Sequence, residues 1–237
     1  MTVRNEAMGY LDLSLALLSL ASGVADATAF LKLGTVFTSA MTGNTVLLCI
    51  AIGQGRVLAA SRTFDAFASF LAGAAIAAAM FRRRAASHRT APTLLTIFVL
   101  ELSCLLAFAL AWEVAGPGEG HALSYALITL SALAMGMQGV AARQINTPGI
   151  NTIVFTSTMI GIVISLTDTV LRRTGSHKVP FATKRQIGIL LVYGVGAVLT
   201  GALIAAGIGF YVWLPLIAVA GAGACYEFGH ARDGRAR

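Results

Sequence analysis

Charge is what this sequence has least of. Only 11% of its 237 residues are Asp, Glu, Lys or Arg, while 57% are hydrophobic. A water-soluble domain carries about 25% charged residues, so this chain cannot cover a globular surface with polar groups. Its mean hydropathy is +0.80. Histidine is scarce as well: His88, His121, His177 and His230 all fall in loops or the tail, leaving no imidazole inside an apolar segment to serve as base or ligand. The three cysteines, Cys49, Cys104 and Cys225, lie far apart in apolar segments without CxxC or Cys/His spacing. That pattern indicates neither a disulfide framework nor a zinc site, and the three read as small buried hydrophobes. HExxH, a nucleophile-elbow serine and paired carboxylates at helical spacing are all missing. GVGAVLTG at 194–201 follows no strand, so its glycines read as helix-packing residues. No enzymatic activity, cofactor or metal is expected.

What the chain does have is apolar windows close to the roughly 20 residues a bilayer-crossing helix needs. They fall at about 10–32, 36–54, 64–81, 93–113, 122–142, 151–170, 187–207 and 210–228. The N-terminal stretch LALLSLASGVADA has the look of a signal peptide, but Asp12 interrupts it and Glu6 balances Arg4, so it is expected to be the first helix. The net charge of +7 comes from clusters between windows (RRR at 82–84, RR at 172–173, KR at 184–185). That is the look of cytoplasmic loops, and no aromatic-interleaved basic surface points to nucleic acid. The connecting loops are too short for a soluble domain. Residues 1–237 therefore read as one integral membrane domain in contact with lipid.

The chain also repeats itself. VFTSAMTGNTVLL (36–48) aligns without gaps on VFTSTMIGIVISL (154–166), with seven of thirteen positions identical. GVA at 23–25 matches GVA at 139–141, and LAGAAIAAA (71–79) resembles GVGAVLTGA (194–202). Two repeats follow, at about 9–115 and 121–230, each holding four apolar segments. Charge discriminates between two topologies, because cytoplasmic loops hold the excess of Lys and Arg. Eight full spans would put eleven basic residues inside and six outside. If the second and sixth segments enter and leave on one side, the split becomes fourteen to three, with only Lys32, Arg56 and Arg62 outside. The favoured fold is an all-α membrane bundle of about six full spans plus two re-entrant or broken segments, a 3+3 inverted repeat with both termini cytoplasmic. Eight spans in a parallel 4+4 repeat is the alternative.

The re-entrant reading gives the polar cluster in VFTSAMTGN a use. Asn44 to Gly53 would make roughly 15 Å of helix at 1.5 Å per residue, half the hydrocarbon thickness, capped by Thr42 or Asn44. Half-helix N-termini near the midplane form polar or anion sites in transport folds. Thr42, Gly43 and Asn44 are therefore candidate solute contacts, with Gln138, Ser157 and Gly161 along the path and a small polar or anionic solute as partner. A kinked helix with self-satisfied hydroxyls, or a packing glycine, is the plain alternative. In the second copy Ile160 and Ile162 replace Thr42 and Asn44. Asp26, Arg143 and Glu101 are the ionisable residues of apolar segments that require explanation. Asp26 and Arg143 hold nearly equivalent repeat positions and are expected to pair, as a structural ion pair or as a gate or coupling-ion site, and Glu101 is expected to face the bundle interior, to be protonated or to relay a proton.

GVADATAF followed by VFTSAMTGN, then AMGMQGVAAR and a second F-T-x-x-M-x-G segment, resembles the YoaK-like family of bacterial inner-membrane proteins, defined by a domain of unknown function. The resemblance covers essentially the whole chain and implies about six spans in the inner membrane. Gly139 departs from the family's form, standing where an asparagine commonly follows the glutamine, and Ile160 stands where a threonine precedes the glycine. The resemblance brings no agreed substrate. The functional expectation is a small-solute channel or secondary transporter with its site at the repeat interface, the rival being a non-transporting scaffold. Oligomerisation through glycine-rich faces is permitted but not indicated.

Overall fold

The computed structural model describes residues 2–85, 90–116, 122–145, 155–171 and 179–235; within these, the side chains of 2–8, 84–85, 90–92, 155–157, 170 and 232–235 are left undescribed. All regular structure among the described residues is helical: α1 (Thr2–Lys32), α2 (Met41–Gly53), α3 (Val57–Ala85), α4 (Thr90–Ala115), α5 (Ala122–Gln144), α6 (Phe155–Leu171), α7 (Phe181–Ala205), a 3₁₀ turn (Gly209–Trp213) and α8 (Leu214–Arg235). Six of these are long and apolar enough to cross a membrane, at Gly9–Lys32, Val57–Arg83, Thr93–Ala115, Ala122–Gln144, Phe181–Ala205 and Gly209–Ala231. The protein is thus a polytopic helical bundle. Met41–Gly53 and Thr158–Thr169 are shorter apolar helices. At about 1.5 Å per residue the 13-residue α2 is about 20 Å long, against about 30 Å of hydrocarbon.

Two apolar clusters mark the two ends of the bundle. One gathers Leu15 and Leu18 of α1, Ala77 of α3, Ile97 and Phe98 of α4, Met137 and Ala141 of α5, Ile189 of α7 and Ala222 of α8. The other gathers Ala29 of α1, Ala66 of α3, Phe108 and Trp112 of α4, Leu127 of α5 and Tyr211 of the 3₁₀ turn, with Leu203 of α7 packed against it. Along the chain the six long helices therefore alternate in direction. Gly34, just past α1, lies against the Arg62 guanidinium near the start of α3. The end of α1 and the start of α3 therefore share one end of the bundle, and the segment carrying α2 returns to the end it left. Gly34 holds φ +98°, a conformation open to glycine, and its missing side chain leaves room for Arg62.

Helix pairing is orderly. α1 packs on α7 and α8, and α5 packs on α3 and α4; α2 lies on α3, and α6 on α7. Glycines set the closest crossings. A Cβ on Gly23 would overlap the Tyr193 carbonyl, and one on Gly196 would lie 2.7 Å from the Leu20 carbonyl. Across α3 and α5, Gly73 meets the Leu133 carbonyl and Gly136 the Phe70 carbonyl. Small residues allow this backbone approach where no hydrophobic effect drives helix association in lipid. Hydroxyls add interhelical bonds: Ser14 Oγ donates to Ala222 O at 2.9 Å and Ser19 Oγ to Ile189 O at 2.8 Å. Thr129 Oγ1 donates to both Asp65 oxygens at 3.0 and 3.2 Å. α7 turns large apolar side chains outward, Leu191 at 64% and Val198 at 73% exposure, as a lipid-facing helix does. Cys49 is also exposed, unlike the buried hydrophobe expected; it lies on the outer face of α2 beside Ile50.

Candidate functional site

The polar centre of the molecule forms where the irregular lead-in to α2 meets α1 and α7. Asp26 on α1 is 2% exposed. Its Oδ1 accepts the backbone N–H groups of Thr38 and Ser39, both at 2.7 Å. Its Oδ2 accepts the Ser39 hydroxyl at 2.6 Å and the Tyr193 hydroxyl at 2.7 Å. A lead-in without helical bonds leaves backbone donors short of partners, which is costly in a membrane interior, and the carboxylate meets that need. Asn44 does the rest. Fully buried, it accepts the Phe37 N–H through Oδ1 at 2.8 Å and donates to the Phe37 carbonyl through Nδ2 at 2.5 Å. Phe37 stacks on Phe30 of α1, with ring centroids 5.0 Å apart.

Beside this pinned loop is a cavity of about 50 Å³, lined by Ser22 on α1, Ser39 and Ala40 of the lead-in, Phe70 on α3, Gln138 on α5 and Tyr193 on α7. At about 30 Å³ per water molecule, a cavity of that size holds one or two. Phe70 and Tyr193 lie near the middle of their spans, so the cavity sits at mid-bundle depth. Gln138 is 5% exposed. Its Nε2 donates to Leu18 O at 2.9 Å and to Ser22 Oγ at 2.7 Å, while its Oε1 is buried without a hydrogen-bond partner. A second, wholly different hollow of about 470 Å³ lies between α2 and α3 and is apolar, lined by Leu48, Ile52, Val57 and Phe64 among others.

The residues expected from sequence take varied places. Gln138 lines the cavity. Thr42 is exposed on the first turn of α2 and does not cap it: Ala40 is the N-cap, without a side-chain cap bond. The Ala40 carbonyl accepts the N–H groups of Gly43 and Asn44, so the turn is closed by main chain alone. Gly43 sits beneath the Phe37 ring, 3.0 Å from where its Cβ would be. Asn44 is a clamp on Phe37 rather than a lining group, because its amide oxygen is spent on the Phe37 N–H and its amide nitrogen on the Phe37 carbonyl and the Met41 sulfur. Gly161 has open space around it and is not in the cavity lining. The side chain of Ser157 lies outside the described residues. Asp26 and Arg143 do not pair: Arg143 is exposed at the end of α5, and Asp26 is satisfied by the loop and Tyr193. The ion pair that does form among the described residues joins Arg185 to Asp12. Glu101 is 0% exposed in the core of α4, and neither carboxyl oxygen has a hydrogen-bond partner.

Sequence reasoning did not single out Ser22, Phe70 or Tyr193. The signal was available: Phe70 and Tyr193 each stand one residue before the aligned blocks at 71–79 and 194–202.

Six apolar long helices, a short helix that starts beside mid-span residues and a small cavity with both polar and apolar lining define an integral membrane protein built around a pinned, non-helical interior segment. The chain belongs to the family described as protein of unknown function (DUF1275), whose model matches residues 14–225. It is 27% identical over 219 residues to the UPF0700 transmembrane protein YoaK of Bacillus subtilis (strain 168), an alignment covering 91% of this chain and 93% of that relative. No solved structure matches it.

Proposed function

We propose that this chain moves a small polar solute across the bacterial inner membrane, as a channel or secondary transporter, without covalent chemistry. The observation that carries the reading is the small cavity at mid-bundle depth, its apolar lining interrupted by Ser22, Ser39, Gln138 and Tyr193, where α1, α3, α5 and α7 meet around a lead-in that is not helical. Irregular backbone at that depth is tolerated where it is buried in protein or lines a wet cavity, and transport folds place their sites in such segments.

An inverted duplication underlies the site in this reading. Its support is the exchange symmetry of the packing: α1 lies on α7 and α8 as α5 lies on α3 and α4. The aligned glycines Gly73 and Gly196 both sit at close crossings, and the cavity is lined by Ser22 with Gln138 and by Phe70 with Tyr193, pairs that the repeat alignment makes equivalent. The end of the bundle carrying Arg82, Arg83 and Arg143 faces the cytoplasm, by the excess of basic residues there. The test is flux in proteoliposomes screened across small ions and neutral solutes. Gln138→Leu and Ser39→Ala should cut the flux of a transported solute by about tenfold or more, with Thr42→Ala unchanged. A protein that passes no solute in this screen is the membrane scaffold instead.

A further inference from the structure

The Asp26 carboxylate carries more donors than a carboxylic acid can hold. A carboxylate offers about four lone-pair sites over its two oxygens. Four donors occupy them: the Thr38 and Ser39 N–H groups on Oδ1, and the Ser39 and Tyr193 hydroxyls on Oδ2. A proton on either oxygen makes that oxygen a donor, so one of the four bonds must reverse or break. The two oxygens are not alike in this. A main-chain N–H only donates, whereas a hydroxyl both donates and accepts. Oδ2 is therefore the oxygen able to take a proton, with the Ser39 or Tyr193 hydroxyl turning to accept from it. Both hydroxyls belong to residues that line the cavity, which has room for about one or two water molecules. Asp26 is 2% exposed while Ser39 is only half-buried, so these hydroxyls stand between the carboxylate and the cavity.

We infer that Asp26 is a proton-binding site served from the cavity, and that proton uptake loosens the lead-in to α2. A proton from cavity water joins the Ser39 or Tyr193 oxygen. The O–H bond that pointed at Asp26 breaks, and its hydrogen bonds to Oδ2. The hydroxyl is regenerated with a hydrogen directed at the cavity; solvent is the proton source and nothing else is consumed. With the charge gone, the Thr38 and Ser39 N–H bonds to Oδ1 fall from charge-assisted to neutral ones, about half as strong. Asn44 still holds Phe37, so the lead-in loosens at 38–39 without being released. Among the described residues, α7 brings the ionisable Tyr193 to Asp26, the lead-in brings none, and Tyr211 of the 3₁₀ turn packs on Trp112. The other ionisable groups of the packed helices stand away. Arg185 of α7 pairs with Asp12 and Lys184 is exposed. On α5, Tyr125 bonds Ser61 and Arg143 is exposed at the helix end; those of α8 lie past Ala222, which meets Ser14. The inference stands on the bonding of Asp26 whether or not a solute crosses, and under the transport reading it makes the proton the coupling ion.

The full chain, purified in detergent, is followed by infrared difference spectroscopy as the pH is lowered from about 9 to about 4, with backbone hydrogen exchange of residues 37–40 measured at one fixed pH. The expected result is a protonated-carboxyl band present in the wild type and in Glu101→Gln but missing from Asp26→Asn. Ser39→Ala and Tyr193→Phe each remove one donor to the charged form and keep both main-chain bonds. Each should move the midpoint of that band upward by about one pH unit, a tenfold tighter proton. A residue that only staples the lead-in would show no such midpoint, and its variants would change the melting temperature alone. Asp26→Asn should also exchange the Thr38 and Ser39 amides about tenfold faster than the wild type. Should that variant not fold, the midpoints of Ser39→Ala and Tyr193→Phe carry the test. No band over this range, a band lost in Glu101→Gln instead, or a midpoint unmoved in both hydroxyl variants would overturn the proton site. Unaltered amide exchange in Asp26→Asn would overturn the loosening. Protonation of Asp26 without solute flux in proteoliposomes leaves the inference standing and removes the transport reading. Solute flux without protonation of Asp26 does the reverse.

Discussion

Asp26 and Asn44 show how single side chains hold a piece of main chain that has no secondary structure of its own. Asp26→Ala would strand two backbone N–H groups and two hydroxyls at once. Each buried group left unpaired costs about 1–3 kcal/mol, so a loss of at least about 3 kcal/mol in detergent unfolding is expected. Asn44→Ala strands the N–H and carbonyl of Phe37 and should cost about 2 kcal/mol. Thr42→Ala, on an exposed side chain two residues earlier, should stay within about 0.5 kcal/mol. Equal destabilisation by the Thr42 and Asn44 variants would contradict the clamp. Glu101 makes the opposite case. Its carboxyl is fully buried and neither oxygen has a hydrogen-bond partner, so Glu101→Met removes a desolvated polar group without breaking a hydrogen bond. A gain of about 1 kcal/mol or more is expected in the same unfolding assay. The polarity of 38–45 was legible in the sequence. The roles within it were not, because Asn44 finds Phe37 only through the tight geometry of the lead-in, and Asp26 finds Ser39 only once the chain has turned back on α1.

At the scale of helices, backbone contact through glycine decides which pairs are close. Gly23→Val places a branched side chain into the Tyr193 carbonyl and would push α7 off α1, taking the Tyr193 hydroxyl from Asp26. Overpacking of this kind costs about 1–3 kcal/mol, and the loss of the Tyr193 bond adds to it. Gly194→Ala, on the same helix α7 with nothing within 4 Å of the added carbon, should be neutral or stabilising by up to about 1 kcal/mol, the helix-propensity difference. Melting temperatures of the two variants check this directly. Helix number and approximate limits were readable from hydropathy, since a span needs a certain apolar length whatever it packs against. The start of α2 was not. It was expected at a Thr or Asn cap, whereas the helix begins at Met41 with main-chain bonds to Ala40, because both polar candidates lie inside the first turn with other uses or none.

For the whole molecule, the return of the α2 segment to the end it left has a direct topological consequence. Lys32→Cys and Arg56→Cys, each in a background lacking Cys49, Cys104 and Cys225, should react with an impermeant thiol reagent from the same side of the membrane. Arg143→Cys should react from the opposite side. Labelling of positions 32 and 56 from opposite sides would mean that α2 crosses, and would remove the re-entrant reading together with the inverted duplication.

Sequence by itself determined the solvent, the helical class and the six long spans, because sparse charge and apolar length are properties of composition along the chain and need no partner. It also marked 36–45 as anomalous, since clustered hydroxyls, an amide and a glycine are out of place in a helix facing lipid. Only the tertiary structure decided what that anomaly is. Asp26 lies 12 residues before Thr38 and Tyr193 lies 167 residues beyond Asp26, and no periodicity connects them. Their meeting depends on α1 and α7 crossing closely at Gly23 and Gly196. The same crossing set Ser22, Ser39 and Tyr193 beside Gln138 in the cavity lining and left Thr42, Gly43 and Asn44 out of it, because Thr42 is exposed and Asn44 is turned onto Phe37.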